Sequence, residues 1–424
     1  MNTALAEDAW RPVRSLAQAA RTGVLMTDVI TYAPGHRAFY DADSHIMELP
    51  DFLKKYADPH LRDDIPAVSY SASSVTDAEV AVIKDRGGRH SEGHRAELLA
   101  MGSELISRSK EIQALGAFDR DERSLALDLL GFKKQLVFAT HSVAMPFSPS
   151  SKLDPELRYG AARAHNRHMA DFCSDDERLL GVAIVPLDET ESAILELDRV
   201  LDTDAGKAIG AVWVPHRACG DKSPGHVAFD PFWARLADAG IPFVLHVGGA
   251  PLQLSQAWAN NGRESTKDWL GGGENLRTKD IAVLHQGPET FLSMMVIDGV
   301  LERFPALRGA AVELGAGWVP ELLNRLDWVA KTWGRSDNNI AGFTRKPSEQ
   351  ITAQLGFTPF VLEQVGSFID RSSADLYLFS SDYPHTEGGR DPIGRFEAAL
   401  GDRSSVTRDK FYAENFRRVF APVV

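Results

Sequence analysis

Residues 37–45 read Arg-Ala-Phe-Tyr-Asp-Ala-Asp-Ser-His, an apolar stretch whose far end carries ionisable groups at alternate positions, Asp41, Asp43 and His45. Successive side chains of a strand point to opposite faces, so these three share one face if the stretch is extended. Burying three such groups is costly unless they are paired or bind a metal. The stretch therefore predicts a buried strand that delivers a site from its C-terminal end. Similar short runs recur along the chain: 135–140 (QLVFAT), 181–187 (GVAIVPL), 209–215 (IGAVWVP), 242–247 (PFVLHV), 308–314 (RGAAVEL), a weaker 356–361 (GFTPFV) and 376–382 (LYLFSSD). Unbroken apolar runs belong to strands covered on both faces, as in parallel sheet. Stretches such as 156–171 and 230–239 have the pattern of amphipathic helices. Eight candidate strands alternating with helices predict an α/β fold, a (β/α)8 TIM barrel.

Two segments exceed a minimal barrel. Residues 46–130 are polar with little strand signal, and residues 250–284 carry Trp258, Trp269 and the run Gly271 to Gly273. They are expected as long insertions after strands 1 and 5, serving as lids, dimer arms or loose surface loops. Residues 1–36 are expected as an N-terminal extension to a barrel domain spanning 37–424.

The chain of 424 residues has 46 Lys and Arg against 59 Asp and Glu, a net charge of −13. That balance argues against nucleic acid and anionic membrane surfaces as partners. Two cysteines, Cys173 and Cys219, are too few for a disulfide framework or a thiolate zinc site. The first twenty residues lack a continuous apolar core, and no stretch approaches the roughly 20 apolar residues of a membrane span. A cytoplasmic protein is the expectation.

His246 ends the run FVLH, and Asp382 ends YLFSSD. With Asp43 and His45, each stands where a barrel strand delivers side chains to the active-site face. These four are candidate ligands of one divalent ion in a nitrogen and oxygen site, with zinc the expected ion and manganese or iron the alternatives. Further ionisable groups surround them in the sequence. His285 is either a replacement acid or base over the site or a helix-capping residue. His385 either binds a substrate carboxylate or orients a ligand. Arg390 pairs with a substrate carboxylate or a neighbouring acid. Trp318 and Tyr383 are candidate pocket walls, and His141 is a weaker candidate of the same kind.

Several blocks resemble the amidohydrolase superfamily, in its amidohydrolase-2 branch with aminocarboxymuconate-semialdehyde decarboxylase and aromatic-acid decarboxylases. They are DADSHIMELPD at 41–51, FVLH at 243–246, FPALRGAAVELGAGWVPELLNRLDW at 304–328, FSSDYPHTEGG at 379–389 and YAENFRRVF at 412–420. The resemblance implies that Asp43 and His45 fill the family's H-x-H ligand pair, with His246 and Asp382 as its fifth- and eighth-strand ligands. Many relatives have His in place of Asp43. The decarboxylases also carry a His at the end of strand six, where this chain has Glu313. A carboxylate of raised pKa can shuttle protons, so Glu313, His285 and Asp382 are the candidate catalytic groups. The implied reaction is non-oxidative decarboxylation of a small aromatic or enolisable carboxylic acid. The alternative is hydrolysis of an amide, ester, lactone or C–C bond by activated water at the same site. The family also implies a homodimer. A rival of another class is a barrel without catalysis, its metal structural or absent.

Overall fold

Seven of the apolar runs form strands: β1 (Tyr40–Asp41), β2 (Lys134–Val137), β3 (Leu179–Ile184), β4 (Ile209–Trp213), β5 (Phe243–His246), β6 (Gly309–Val312) and β7 (Leu355–Phe357). All neighbours pair in parallel and in chain order, giving one curled sheet ordered β1 to β7. The computed structural model describes residues 30–70, 75–147, 154–202, 207–250, 256–263 and 278–420. The apolar runs sort by pleat, as a curled sheet requires. Leu136, Phe138, Val182, Ile184, Ala211, Trp213, Val244, Ala310 and Val312 pack in an inner cluster. The alternate residues Val137, Ala183, Val212, Phe243, Leu245 and Ala311 join an outer cluster under the helices.

The run 376–382 forms no regular strand of its own. It lies instead across both edges of the sheet. The Leu378 amide donates to the Phe357 carbonyl of β7, while the Ala42 amide donates to Phe379 and the Asp382 amide to Asp43, each at 2.9 to 3.0 Å. Isolated bridges pair Tyr377 with Phe357 and Tyr383 with Ser44. The backbone groups freed by this irregular stretch are thus satisfied from both sides.

The helices begin and end where their side chains dictate. Helix α1 (Arg120–Leu130) is capped by the Asp119 carboxylate accepting the Glu122 amide, and ends at Gly131 with φ of 77°. Helix α2 (Pro155–Cys173) starts with Asp154 as cap and Pro155 in its first turn. Helix α3 (Asp230–Ala239) stops at Gly240 in the left-handed conformation. These are favoured N-terminal caps and C-terminal stops. Both amphipathic stretches read from sequence, 156–171 and 230–239, fall within α2 and α3.

The polar stretch 46–130 is not a loose surface loop. Its Leu105, Ile106, Leu115 and Leu127 are buried in the outer core. The Arg123 side chain of α1 is fully buried; its guanidinium donates to the carbonyls of Gly116 and His45 and to the Gln135 side chain. Of the stretch 250–284, Trp258 is 76% exposed. Trp269 and Gly271 to Gly273 lie outside the described residues, as do residues 1–29 of the expected extension. No helix among the described residues is long and apolar enough to cross a membrane.

Candidate metal centre

Four ligand-capable side chains meet at the C-terminal ends of the strands, and all four are buried. Ligand atoms of Asp43, His45, His246 and Glu313 lie within 4.8 Å of one another. Asp43 Oδ1 stands 3.2 Å from His45 Nε2 and 3.3 Å from His246 Nε2. Glu313 Oε2 stands 3.3 Å from His246 Nε2 and 4.0 Å from His45 Nε2. Bonds of about 2.1 Å to one divalent ion hold neighbouring donors roughly 3 to 3.5 Å apart. The spacing therefore fits a single ion.

The imidazoles are set for that role by their outer nitrogens. His45 Nδ1 faces the Ala139 carbonyl at 3.0 Å and His246 Nδ1 faces the Val247 carbonyl at 2.9 Å. A carbonyl can only accept, so each Nδ1 carries the hydrogen and each Nε2 turns a lone pair inward. His45 Nε2 is buried without any hydrogen bond. The Asp43 carboxyl stands between two inward lone pairs, a set of donors that suits a cation.

Asp382 belongs to a second group, with His45 and His385. Its Oδ1 lies 3.6 Å from His45 Nε2 and 3.1 Å from His385 Nδ1. The Thr140 hydroxyl donates to the Ile46 carbonyl at 2.7 Å and meets His385 Nε2 at 3.0 Å. With its one hydrogen spent on Ile46, the hydroxyl must accept from His385 Nε2. His385 Nδ1 then turns a lone pair towards Asp382 Oδ1, 3.1 Å away. Burial, reinforced by Asp43, pushes the Asp382 carboxyl up to about 7. The His385 ring also stacks on His45, with centroids 4.0 Å apart.

The other expected site residues are spread more widely. His285 is half-buried at the N-cap of α4 (Gln286–Ile297), makes no capping bond with its side chain, and approaches Glu289 of the same helix at 3.9 Å. It is not among the converging donors. Trp318, at the N-cap of α5 (Val319–Trp333), donates to the carbonyls of Leu314 and Gly315 and packs on Phe357, so it braces the turn that carries Glu313. Tyr383, first residue of a cis peptide to Pro384, is fully buried and spends its hydroxyl on the Leu115 carbonyl. Arg390 is exposed. His141 is packed edge-on against Tyr70. Asp41, grouped by the pleat with Asp43 and His45, is drawn elsewhere. Its carboxylate accepts from Gln135 and from the amide and hydroxyl of Ser381, beneath the site.

Sequence reasoning missed Lys110. Its ammonium donates to the His385 carbonyl at 3.1 Å, and it interacts electrostatically with Asp382, Glu111 and Glu387. Burial lowers its pKa, and burial with Glu387 nearby raises Glu111 to about 8. Lys110 sits in the polar stretch, where no periodicity marks it; only the fold brings it to the site. Also unanticipated is the wall around His246, where the ring of Phe138 lies 4.4 Å and that of Trp213 4.9 Å away. Apolar rings exclude water and strengthen electrostatic interactions inside.

A curled parallel sheet with buried imidazole and carboxylate donors at its strand ends defines the class of metal-centre α/β enzymes. The chain belongs to the amidohydrolase family, whose model matches residues 116–421. No curated protein matches the sequence. Among solved structures, an amidohydrolase from Mycobacterium avium subsp. paratuberculosis is 21% identical with a TM-score of 0.67, over 91% of this chain and 100% of the other. A 5-carboxyvanillate decarboxylase from Novosphingobium aromaticivorans, solved with manganese and 4-hydroxy-3-methoxy-5-nitrobenzoic acid, is 16% identical with a TM-score of 0.59, over 93% and 99%. A dihydroxybenzoic acid decarboxylase from a Polaromonas species, with manganese and 2-nitroresorcinol, is 18% identical with a TM-score of 0.59, over 91% and 97%. At these identities the likeness is one of fold.

Proposed function

We propose that this chain is a metal-dependent decarboxylase of small aromatic or enolisable carboxylic acids. The observation that carries the reading is the convergence of two inward-facing imidazoles with buried carboxylates, beside Asp382, whose Oδ1 stands 3.1 Å from His385 Nδ1. Asp43, His45 and His246 hold the ion together with a carboxylate. A divalent ion there would polarise a substrate oxygen and stabilise charge developing on the ring. Asp382, with His385 behind it, delivers a proton to the carbon bearing the carboxylate. The electrons of the C–C bond then restore the aromatic system as carbon dioxide leaves. In the metal-free protein, burial and the neighbouring Asp43 favour the protonated form of this carboxyl, the form that donates. Lys110 offsets the negative charge of Asp382, Glu111 and Glu387 and favours an anionic substrate.

Two imidazoles with two carboxylates suit manganese as well as zinc, and manganese is the ion in decarboxylases of like fold. His285 and Arg390 are assigned no catalytic or binding part, and Trp318 and Tyr383 act by bracing the loops around the site. The same reading takes the sheet and segment 376–383 as a (β/α)8 barrel spanning 37–424, with 46–130 and 250–284 as insertions around its mouth, working as a cytoplasmic homodimer in aromatic catabolism.

The test is carbon dioxide release from hydroxylated benzoic acids by manganese-loaded protein, run beside acid release from lactones, esters and amides. Carbon dioxide with stoichiometric phenol supports decarboxylation. Acid release alone would assign the site to hydrolysis, with Asp382 as base.

A further inference from the structure

Resting on the reading of a metal centre, we infer that Glu48 is a positioning residue. Its buried carboxylate sets the loop after β2, and through that loop it aims His45 at the ion and holds His385 beside it. Glu48 stands three residues beyond His45 and is 1% exposed. Its carboxylate crosses to the neighbouring chain and gathers donors from three successive residues. Oε1 accepts the amides of Thr140 at 3.1 Å and Ser142 at 3.2 Å and the Ser142 hydroxyl at 2.8 Å. Oε2 accepts the His141 amide at 2.7 Å. Successive backbone N–H groups facing one point form a concavity for an anion, and here the chain supplies the anion itself. Hydrogen bonds to a carboxylate are of the stronger kind, so this set fixes the loop.

The same loop carries what the imidazoles lean on. The Ala139 carbonyl, one residue before the clamp, meets His45 Nδ1 at 3.0 Å and keeps the hydrogen on that nitrogen. Thr140, whose amide Glu48 holds, brings its hydroxyl to His385 Nε2 at 3.0 Å. The rings of His45 and His385 stack with centroids 4.0 Å apart, so a shift of the loop displaces both together. Below this point the backbones already join. The Ile46 amide donates to the Phe138 carbonyl at 3.0 Å, and the Phe138 amide to the Ser44 carbonyl at 2.7 Å. Glu48 extends that grip past Phe138 to the residues that face the site. Tyr70 braces it in turn, its hydroxyl donating to the Glu48 carbonyl at 2.6 Å and its ring edge-on to His141.

The experiment compares Glu48→Gln with Glu196→Gln, which alters a buried carboxylate bonded instead to Asn166 and Arg199. A glutamine keeps the shape but turns an NH2 towards the donors on one side. In ¹⁵N-histidine spectra of the metal-free parent, the His45 signal, assigned by its loss in His45→Asn, reports a single tautomer with hydrogen on Nδ1. In Glu48→Gln that signal is expected to move towards a mixture of tautomers. Calorimetric titration then shows Mn²⁺ bound at least roughly tenfold more weakly, the range for a group that orients a ligand. Glu196→Gln leaves both readouts unchanged, whatever its loss in urea midpoint. Parental tautomer and Mn²⁺ affinity in folded Glu48→Gln, or equal changes in Glu196→Gln, overturn the proposal. Should Glu48→Gln fail to fold, Ser142→Ala, which removes the hydroxyl donor alone, decides. A shift in the same direction supports the proposal, and an unchanged His45 signal and affinity overturns it. A parent that binds no Mn²⁺ overturns the metal centre, while the metal-free spectra still judge Glu48.

Discussion

Glu313 and Asp382 leave their strand positions in the same left-handed backbone conformation, each with φ of 53°. Glu111, which borders the same cluster, has φ of 55°. Holding a residue with a Cβ in this region costs about 1–2 kcal/mol. Three acidic side chains around one site therefore sit on strained backbone, which pre-organises the carboxylates.

Relieving that strain should separate stability from metal binding. Glu313→Gly removes a strained conformation together with a buried carboxylate. In metal-free protein it is expected to raise the melting temperature by about 1 °C, roughly 1 kcal/mol for a chain of this length, while weakening metal binding. Differential scanning calorimetry in chelator checks this, and a lower melting temperature would refute it.

Arg123 supports the site from behind. Arg123→Met leaves the His45 and Gly116 carbonyls and the Gln135 side chain without their buried donor. The expected cost is about 2–4 kcal/mol in urea denaturation. Arg123→Lys should recover only part, because an ammonium cannot span three directions from that position. Full recovery by lysine would show that charge alone matters.

Lys110→Met removes a cation from among Asp382, Glu111 and Glu387. For a carboxylate substrate, KM should rise at least roughly tenfold, by the 1.4 kcal/mol or more that a lost charge-assisted contact is worth. Steady-state kinetics against a neutral phenolic competitor decides, since the Ki of that competitor should hardly move. Equal effects on both would place Lys110 outside substrate binding.

Acid stability offers a test away from the metal centre. His165 on α2 is fully buried with Nε2 against the Val182 carbonyl, and burial lowers its imidazole to about 4. It is neutral when folded, whereas an unfolded histidine takes a proton below pH about 6.5. Its contribution is thus complete above that value, falls as the pH drops, and is exhausted near 4, a loss of up to about 3 kcal/mol. His165→Gln should narrow the difference in urea midpoint between pH 7 and 4.5. An unchanged difference would rule His165 out as a source of acid sensitivity.

The strands and the first-named donors were legible because strand burial and strand-end chemistry are local. PFVLHV announces both β5 and His246, and its alternation even sorts Val244 inward from Phe243 and Leu245. The pleat rule failed at Asp41, whose carboxylate is captured by Ser381 and Gln135, partners hundreds and scores of residues away. Run 376–382 looked like an ordinary strand, yet its pairing is shared between two edges. His285 drew attention by type and neighbourhood, but helix α4 keeps it beside Glu289. Lys110 was invisible because a polar stretch gives no period, although Leu105, Ile106 and Leu115 of the same stretch are buried in the outer core.

The Asp382 amide donates to the Asp43 carbonyl, and Ser381 to the Asp41 carboxylate across a separation of 340 residues. In a chain growing at roughly 5–20 residues per second, the donors made first would wait on the order of 20 to 70 seconds for the segment that closes over them. Asp43, His45 and the Arg123 guanidinium emerge early, and the last wall of their pocket is made some 340 residues after Asp41. Closure of the site therefore lags well behind synthesis of its first donors. A ribosome stalled before residue 376 holds a chain with most of its sheet and no finished centre, a state in which the exposed edge of β1 is a target for chaperones.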